Sequence, residues 1–102
     1  MFILNITFLI PSSLIVPWLN WAKNDYIPYM LASGLLFDAQ LAQVVGDDED
    51  GSSYALQFKA LNRRVLKQWN ELHATEMQQL CSDRFGNSVP YFSTILEIQP
   101  LT

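Results

Sequence analysis

Charge is scarce in this chain. Of its 102 residues only 16% are Asp, Glu, Lys or Arg, against roughly 25% in ordinary soluble domains. Six are basic and ten acidic, a net charge of −4. Phosphate recognition needs a basic stripe, so nucleic acid is excluded as a partner. The same balance argues against docking on an anionic membrane. Cysteine is nearly absent: Cys81 stands alone, so no internal disulfide can form. That suits a reducing cytoplasm, the expected location. There is one histidine, His73. No phosphate-binding glycine loop, dinucleotide fingerprint, paired C-x-x-C or H-E-x-x-H motif occurs. Nucleotide binding, structural zinc and zincin chemistry therefore lack support, and no cofactor is expected.

Long hydrophobic runs are missing too. The apolar start, Met1 to Ile10, is broken by Pro11, Pro17 and Asn20, well short of a membrane span. It lacks a basic n-region, since Lys23 is the first cation, and a small-x-small cleavage site. It reads as a strand rather than a leader. Asn5-Ile6-Thr7 matches a glycosylation sequon, which carries no weight inside an unsecreted strand.

Apolar residues are plentiful. Half the chain is hydrophobic and 13% is aromatic, enough for the core of one small domain spanning residues 1–102. With so little charge to cover the outside, part of the surface is expected to meet a partner, most simply a second copy.

Residues 2–10 alternate, with Phe2, Leu4, Ile6, Phe8 and Ile10 on one face and Ile3, Asn5, Thr7 and Leu9 on the other. The uncharged second face marks a central strand. Ser13 is a candidate helix cap, and Pro17 suits a first helical turn. Leu14, Trp18, Trp21 and Ala22 recur at helical spacing, opposite Lys23, Asn24 and Asp25. Pro28 predicts a break or kink, and Gly34 a stop. Residues 35–46 alternate again, Phe37, Ala39 and Leu41 opposing Asp38, Gln40 and Ala42. Gly46 to Ser52 is acidic and bounded by glycines, the signature of a hairpin tip. A strand over 53–60 follows. Asn62 is the predicted cap of a helix to Phe85, with Val65, Leu66, Trp69, Leu72, Met77 and Leu80 as its apolar stripe. A last strand covers 89–98, with Phe92, Thr94, Leu96 and Ile98 on one face.

The order strand, helix, strand, strand, helix, strand predicts an α+β fold. Its arrangement is the ferredoxin-like βαββαβ antiparallel sheet with two helices on one face. The other face would carry Asn5, Thr7, Gln40, Ala42, Ala55, Gln57, Tyr91, Ser93 and Ile95, with Asp38, Lys59 and Glu97 towards strand ends. It is semi-polar yet poor in charge. A homodimer through this sheet face, a dimeric α+β barrel, is the simplest way to cover it.

A set of residues in order resembles a known family: Trp21, Ile27-Pro28, Ser33-Gly34, Phe37, Gly51, Tyr54, Gln57-Phe58, His73-Ala74, Arg84-Phe85-Gly86, Phe92 and Leu96-Glu97. The chain is similar to an uncharacterised domain-of-unknown-function family of short bacterial proteins, whose fold resembles the dimeric α+β barrels. The resemblance implies a fold and a dimer, with no established activity. Two departures matter. The family often has His immediately before Ile-Pro, where this chain has Tyr26, and Pro after His-Ala, where it has Thr75.

Candidate chemistry is thin. His73 borders the apolar stripe, four residues after Trp69 and four before Met77. It is either a packed helix histidine or a general base or axial ligand. Cys81 is ~12 Å along the same helix, too far for a nucleophile–base pair. Asp47, Asp48, Glu49 and Asp50 fail as a calcium loop, because Gly46 and Gln57 fall where ligands belong. Trp21, Tyr26, Trp69 and His73, with Asn5 and Gln57 as polar lining, form the candidate pocket between helices and sheet. It would take a small hydrophobic or aromatic ligand. The expected function is a ligand-binding or interaction module. The alternative is a cofactor-independent oxygenase-like or isomerase-like enzyme built on His73 and Tyr26.

Overall fold

The computed structural model describes residues 1–46 and 50–101. The elements in order are β1 (Phe2–Pro11), α1 (Ile15–Trp21), α2 (Ile27–Ala32), β2 (Phe37–Gln43), β3 (Gly51–Ala60), α3 (Arg63–Phe85) and β4 (Tyr91–Glu97). The four strands form one antiparallel sheet in the order β2-β3-β1-β4. This is the ferredoxin-like arrangement expected, with β1 central. Asp47, Asp48 and Glu49, at the predicted hairpin tip, lie outside the described residues. Among the described residues no helix is long and apolar enough to cross a membrane.

The alternation of β1 sets the core. Phe2, Leu4, Ile6, Phe8 and Ile10 are buried against the helices, opposite Ala60, Phe58, Leu56, Tyr54 and Ser52 of β3. Trp18, Trp21, Tyr26 and Met30 descend onto them from the first helical segment, and Leu66, Trp69, Met77 and Cys81 from α3. Leu72, placed on the α3 stripe by spacing, is instead 60% exposed. The buried row runs 66, 69, 77 and 81, and Leu72 falls on its outer side. Asn62 caps α3 as predicted: its Oδ1 accepts from the Val65 N–H at 2.9 Å.

The first helical segment differs from expectation at both ends. Ser13 does not cap it. It sits inside a 3₁₀ turn, Ser12–Leu14, that makes no side-chain cap. Nor does the chain break at Pro28. It stays helical from residue 12 to 32, and α1 joins α2 through a π-helical turn, Ala22–Tyr26. Proline removes a hydrogen bond from the preceding turn and crowds its carbonyl. One wider turn relieves this: the Ile27 N–H reaches back five residues to the Ala22 carbonyl. Pro28 then lies in the first turn of α2, where no donor is needed. Gly34 ends the segment at φ 72°, while the Ser33 hydroxyl donates to the Met30 carbonyl at 3.2 Å.

Two strand phases also change. Tyr91 pairs with Phe8, Ser93 with Ile6, Ile95 with Leu4 and Glu97 with Phe2. These four therefore sit on the helix face, and Phe92, Thr94 and Leu96 on the open face, the reverse of expectation. In β2 a bulge falls between Phe37 and Gln40. The extra residue moves Phe37 into the phase of Gln40 and Ala42, opposite Lys59. Asp38 takes the left-handed backbone at φ 51° that the bulge requires, a conformation aspartate tolerates better than most residues.

The open face that results is more apolar than the sequence suggested. Ile3, Leu9, Ala55, Phe92 and Leu96 surround a polar centre of Asn5, Thr7, Gln57 and Thr94. Its one charge on β1, β3 and β4 is Lys59, neutralised by Asp38 at 3.5 Å. Glu97, now on the helix face, lies 3.9 Å from Arg63.

The packing gives a ranked set of losses in urea denaturation. Phe8→Ala should cost about 3–5 kcal/mol, since its ring is buried among three aromatics. Asn62→Ala should cost about 1 kcal/mol. A Cβ on Gly51 would strike the Ile10 carbonyl oxygen and lie 3.2 Å from Pro11 Cα. Gly51→Ala should therefore cost about 1–3 kcal/mol. An undisturbed Gly51→Ala protein would show that the end of the β1–β3 register differs.

Candidate functional site

The six residues singled out from the sequence separate into three groups. Asn5 and Gln57 face away from the helices. Gln57 Nε2 donates to Asn5 Oδ1 at 3.1 Å, and Asn5 Nδ2 donates to Thr7 Oγ1 at 3.1 Å. They form a polar ladder across the open sheet face and line no pocket beneath the helices. The sequence reading of them as pocket lining is corrected by their strand parity.

Trp21 and Tyr26 are core. Their rings stack at 4.8 Å and 24°, and Phe85 meets Trp21 edge-on at 5.2 Å. The Tyr26 hydroxyl is buried beside the Cys81 thiol. Burial pushes its ionisation far above the ordinary phenol range, and Cys81 and Tyr91 nearby push the same way. Burial also pushes the Cys81 thiol up, to about 11, although the Tyr26 hydroxyl opposes that. Neither group ionises near neutrality, so neither is an activated base or nucleophile.

Trp69 and His73 share a face of α3, rings 6.5 Å apart. Tyr29 of α2 stands edge-on to His73 at 6.4 Å, and Glu76 Oε2 is 4.0 Å from His73 Nδ1. Burial, then the Glu76 carboxylate, pushes the Tyr29 phenol up to about 12. His73 is thus a half-buried helix residue with a weak carboxylate contact.

Between α3 and the strands β1 and β4 lies a cleft of about 310 Å³. Leu4, Leu66, Trp69, Met77 and Ile95 supply its apolar lining, with Ala74 leaving room. Lys67, Asn70, Gln78 and Ser93 are its polar groups. It exists because α3 does not cover the inner face of β4, where Ile95 stays 52% exposed. Of the six predicted residues only Trp69 lines it. Its two β4 residues, Ser93 and Ile95, were hidden by the misjudged phase of that strand. Once Tyr91 is paired with Phe8, the small Ser93 and the exposed Ile95 fall on the helix face beside α3, and the gap is legible.

A family model described as Domain of unknown function (DUF4286) matches residues 1–99. Curated proteins yield no match. Solved structures do. A candidate antibiotic biosynthesis monooxygenase from Deinococcus radiodurans superposes with a TM-score of 0.69 at 10% identity, over 100% of this chain and 96% of its own. A dimeric ferredoxin-like protein from an uncultured marine organism gives 0.64 at 10%, over 100% and 99%. A second candidate antibiotic biosynthesis monooxygenase, from Bacillus cereus, gives 0.59 at 12%, over 99% and 97%. At these identities the likeness shows the fold.

The buried thiol has a consequence at alkaline pH. A raised folded pKa means that stability is full below the unfolded value, near 9, and declines as pH rises through about 11. Denaturant midpoints should fall over that window, and Cys81→Ala should flatten part of the fall. Labelling of Cys81 by a thiol reagent at pH 8 should be at least about tenfold slower folded than in urea. Equal rates would mean that the thiol is exposed.

Proposed function

The chain belongs to the family described as Domain of unknown function (DUF4286), and from that premise we propose a homodimeric module that binds a small, flat, apolar ligand. The cleft between α3 and the strands β1 and β4 carries the reading. Its floor is aliphatic and aromatic, with a few polar groups from α3 and β4 at its walls, the usual composition of a small-molecule site. A ligand there would release water from Leu4, Trp69, Met77 and Ile95, while Asn70, Gln78 and Ser93 fix its orientation.

The dimer would form through the open sheet face. Leu9, Phe92 and Leu96 are 43%, 54% and 42% exposed on it, and an apolar surface of that kind is normally covered. Asn5, Gln57 and Thr94 at its centre would pair across the interface and fix the register of the two sheets. The marine neighbour of similar fold is a dimeric protein. The cleft and the open face are on opposite sides of the sheet, so the dimer leaves the cleft accessible. The lone thiol, buried and protonated, suits a reducing compartment, and we place the protein in the cytoplasm.

A catalytic reading, that of a cofactor-independent oxygenase-like or isomerase-like enzyme, would need His73 and Tyr26 at the ligand. Neither lines the cleft, so the proposal stops at binding.

Light scattering should give the mass of a dimer, and Phe92→Glu should give a folded monomer, because it buries an unpaired charge in the interface. A wild-type monomer at micromolar concentration would sink the dimer. In fluorescence titration the planar probe 1-anilinonaphthalene-8-sulfonate should saturate at one site per subunit. Ala74→Phe, which fills the cleft, should weaken it at least about tenfold, a loss of about 1.4 kcal/mol. His73→Ala should leave it unchanged. Unaltered binding in Ala74→Phe would remove the cleft as the site.

A further inference from the structure

The helix layer carries a second depression, of about 390 Å³, on a surface that neither the cleft nor the open sheet face uses. Pro17, Asn20, Trp21, Asn24, Asp25 and Arg84 line it. Its chemistry is unlike that of the cleft. One cation, one carboxylate and two amides surround an aromatic floor.

The floor is rigid. Trp21 is 6% exposed and held between the stacked Tyr26 ring and the edge of Phe85. The cation is positioned as well. The Arg84 guanidinium carbon lies 4.8 Å over the centre of the Phe85 ring, a cation–π contact that orients its donors. The carboxylate comes from the π-helical turn. Asp25 follows Trp21 by four residues, so the two lie on one side of the segment and line the depression together with Pro17, Asn20 and Asn24. A π-helical turn inside an α-helical segment recurs at functional sites, and here it contributes Asn24 and Asp25 to the depression.

Arg84 and Asp25 share this depression but form no ion pair within 4.0 Å, with each other or with any other described residue. Opposite charges that line one hollow without pairing are matched by a molecule carrying both complements. A phosphate would meet one cation beside a carboxylate in an acidic protein, and a metal ion would meet one carboxylate beside a guanidinium. Neither suits. We propose that the depression binds a free α-amino acid with an apolar side chain. Its carboxylate is received by the Arg84 guanidinium and its ammonium by the Asp25 carboxylate. Asn20 and Asn24 supply second hydrogen bonds, and the side chain lies on Trp21 and Pro17. A bidentate guanidinium–carboxylate contact gives the orientation. The inference is independent of the ligand proposed for the cleft.

The test is an amide-resolved NMR titration of the full chain with L-phenylalanine and L-leucine. The controls are N-acetyl-L-phenylalanine, which lacks the ammonium, and L-phenylalaninamide, which lacks the carboxylate. Saturable shifts are expected at residues 20–25 and 84, and both blocked forms should bind at least about tenfold more weakly. Arg84→Gln should bind the free acid and the amide equally. Asp25→Asn should bind the free and acetylated forms equally. Both side chains are exposed, so these variants keep the fold. The proposal is overturned if neither amino acid gives saturable shifts at millimolar concentration, if blocking either group leaves affinity unchanged, or if the shifts centre on Trp69 and Ser93 instead.

Discussion

The ring of Phe8 contacts Trp18 at 4.9 Å, Tyr26 at 5.8 Å and Tyr91 at 5.4 Å. Three separate stretches of chain are thereby tied to the central strand. Trp18 fixes the entry of the first helical segment, Tyr26 the end of its wide turn, and Tyr91 the start of the edge strand. The last of these decides the phase of β4. With Tyr91 inside, Ser93 and Ile95 must also lie inside, and Phe92 and Leu96 must lie outside. The composition of the open face and the existence of the cleft both follow from one aromatic contact. The aromatic pairs contribute geometry beyond the area they bury, since tilted and edge-on rings hold preferred distances.

Both helices lie on one side of the sheet, so its two faces do different work. The covered face is a hydrophobic core with a gap where α3 stops short of β4. The uncovered face is a flat apolar surface with a hydrogen-bonded centre. The cleft and the open face therefore share no residues. Of the four strands, only the outermost, β2 and β4, present an edge, and Asp38 on β2 is paired with Lys59 of the inner strand β3.

Much of the architecture was legible from periodicity. The alternation of β1 and β3, the Asn62 cap and the Gly34 stop all appear where residue chemistry puts them. What was not legible has physical causes. β4 is apolar on both parities, Tyr91 and Ile95 against Phe92 and Leu96, so counting by twos gives no sign and the register against Phe8 decides. A bulge leaves no mark in hydrophobicity, and Phe37 changed sides unseen. Pro28 announced a disturbance, but the strain falls on the turn before it, where the helix can widen rather than break. Leu72 looked like core because leucine at roughly helical spacing usually is. At the candidate site only Trp69 could be named for the cleft, which joins Leu4, Trp69 and Ser93 across almost the whole chain. Asn5 and Gln57 were misassigned to the pocket although their own parity places them on the open face.

The bulge at Asp38 bears on how far assembly can go. A four-stranded sheet has two outer edges, and plain edges let copies join strand to strand without end. The residue in left-handed geometry breaks the regular ladder of β2, and its carboxylate sits at the margin. Growth by strand addition needs a continuous ladder at both edges, so a molecule with one interrupted edge terminates a chain of copies. A bulged edge of this kind disfavours strand-by-strand addition on that side of the sheet. A single aspartate in an uncommon backbone conformation thus guards one edge of the sheet.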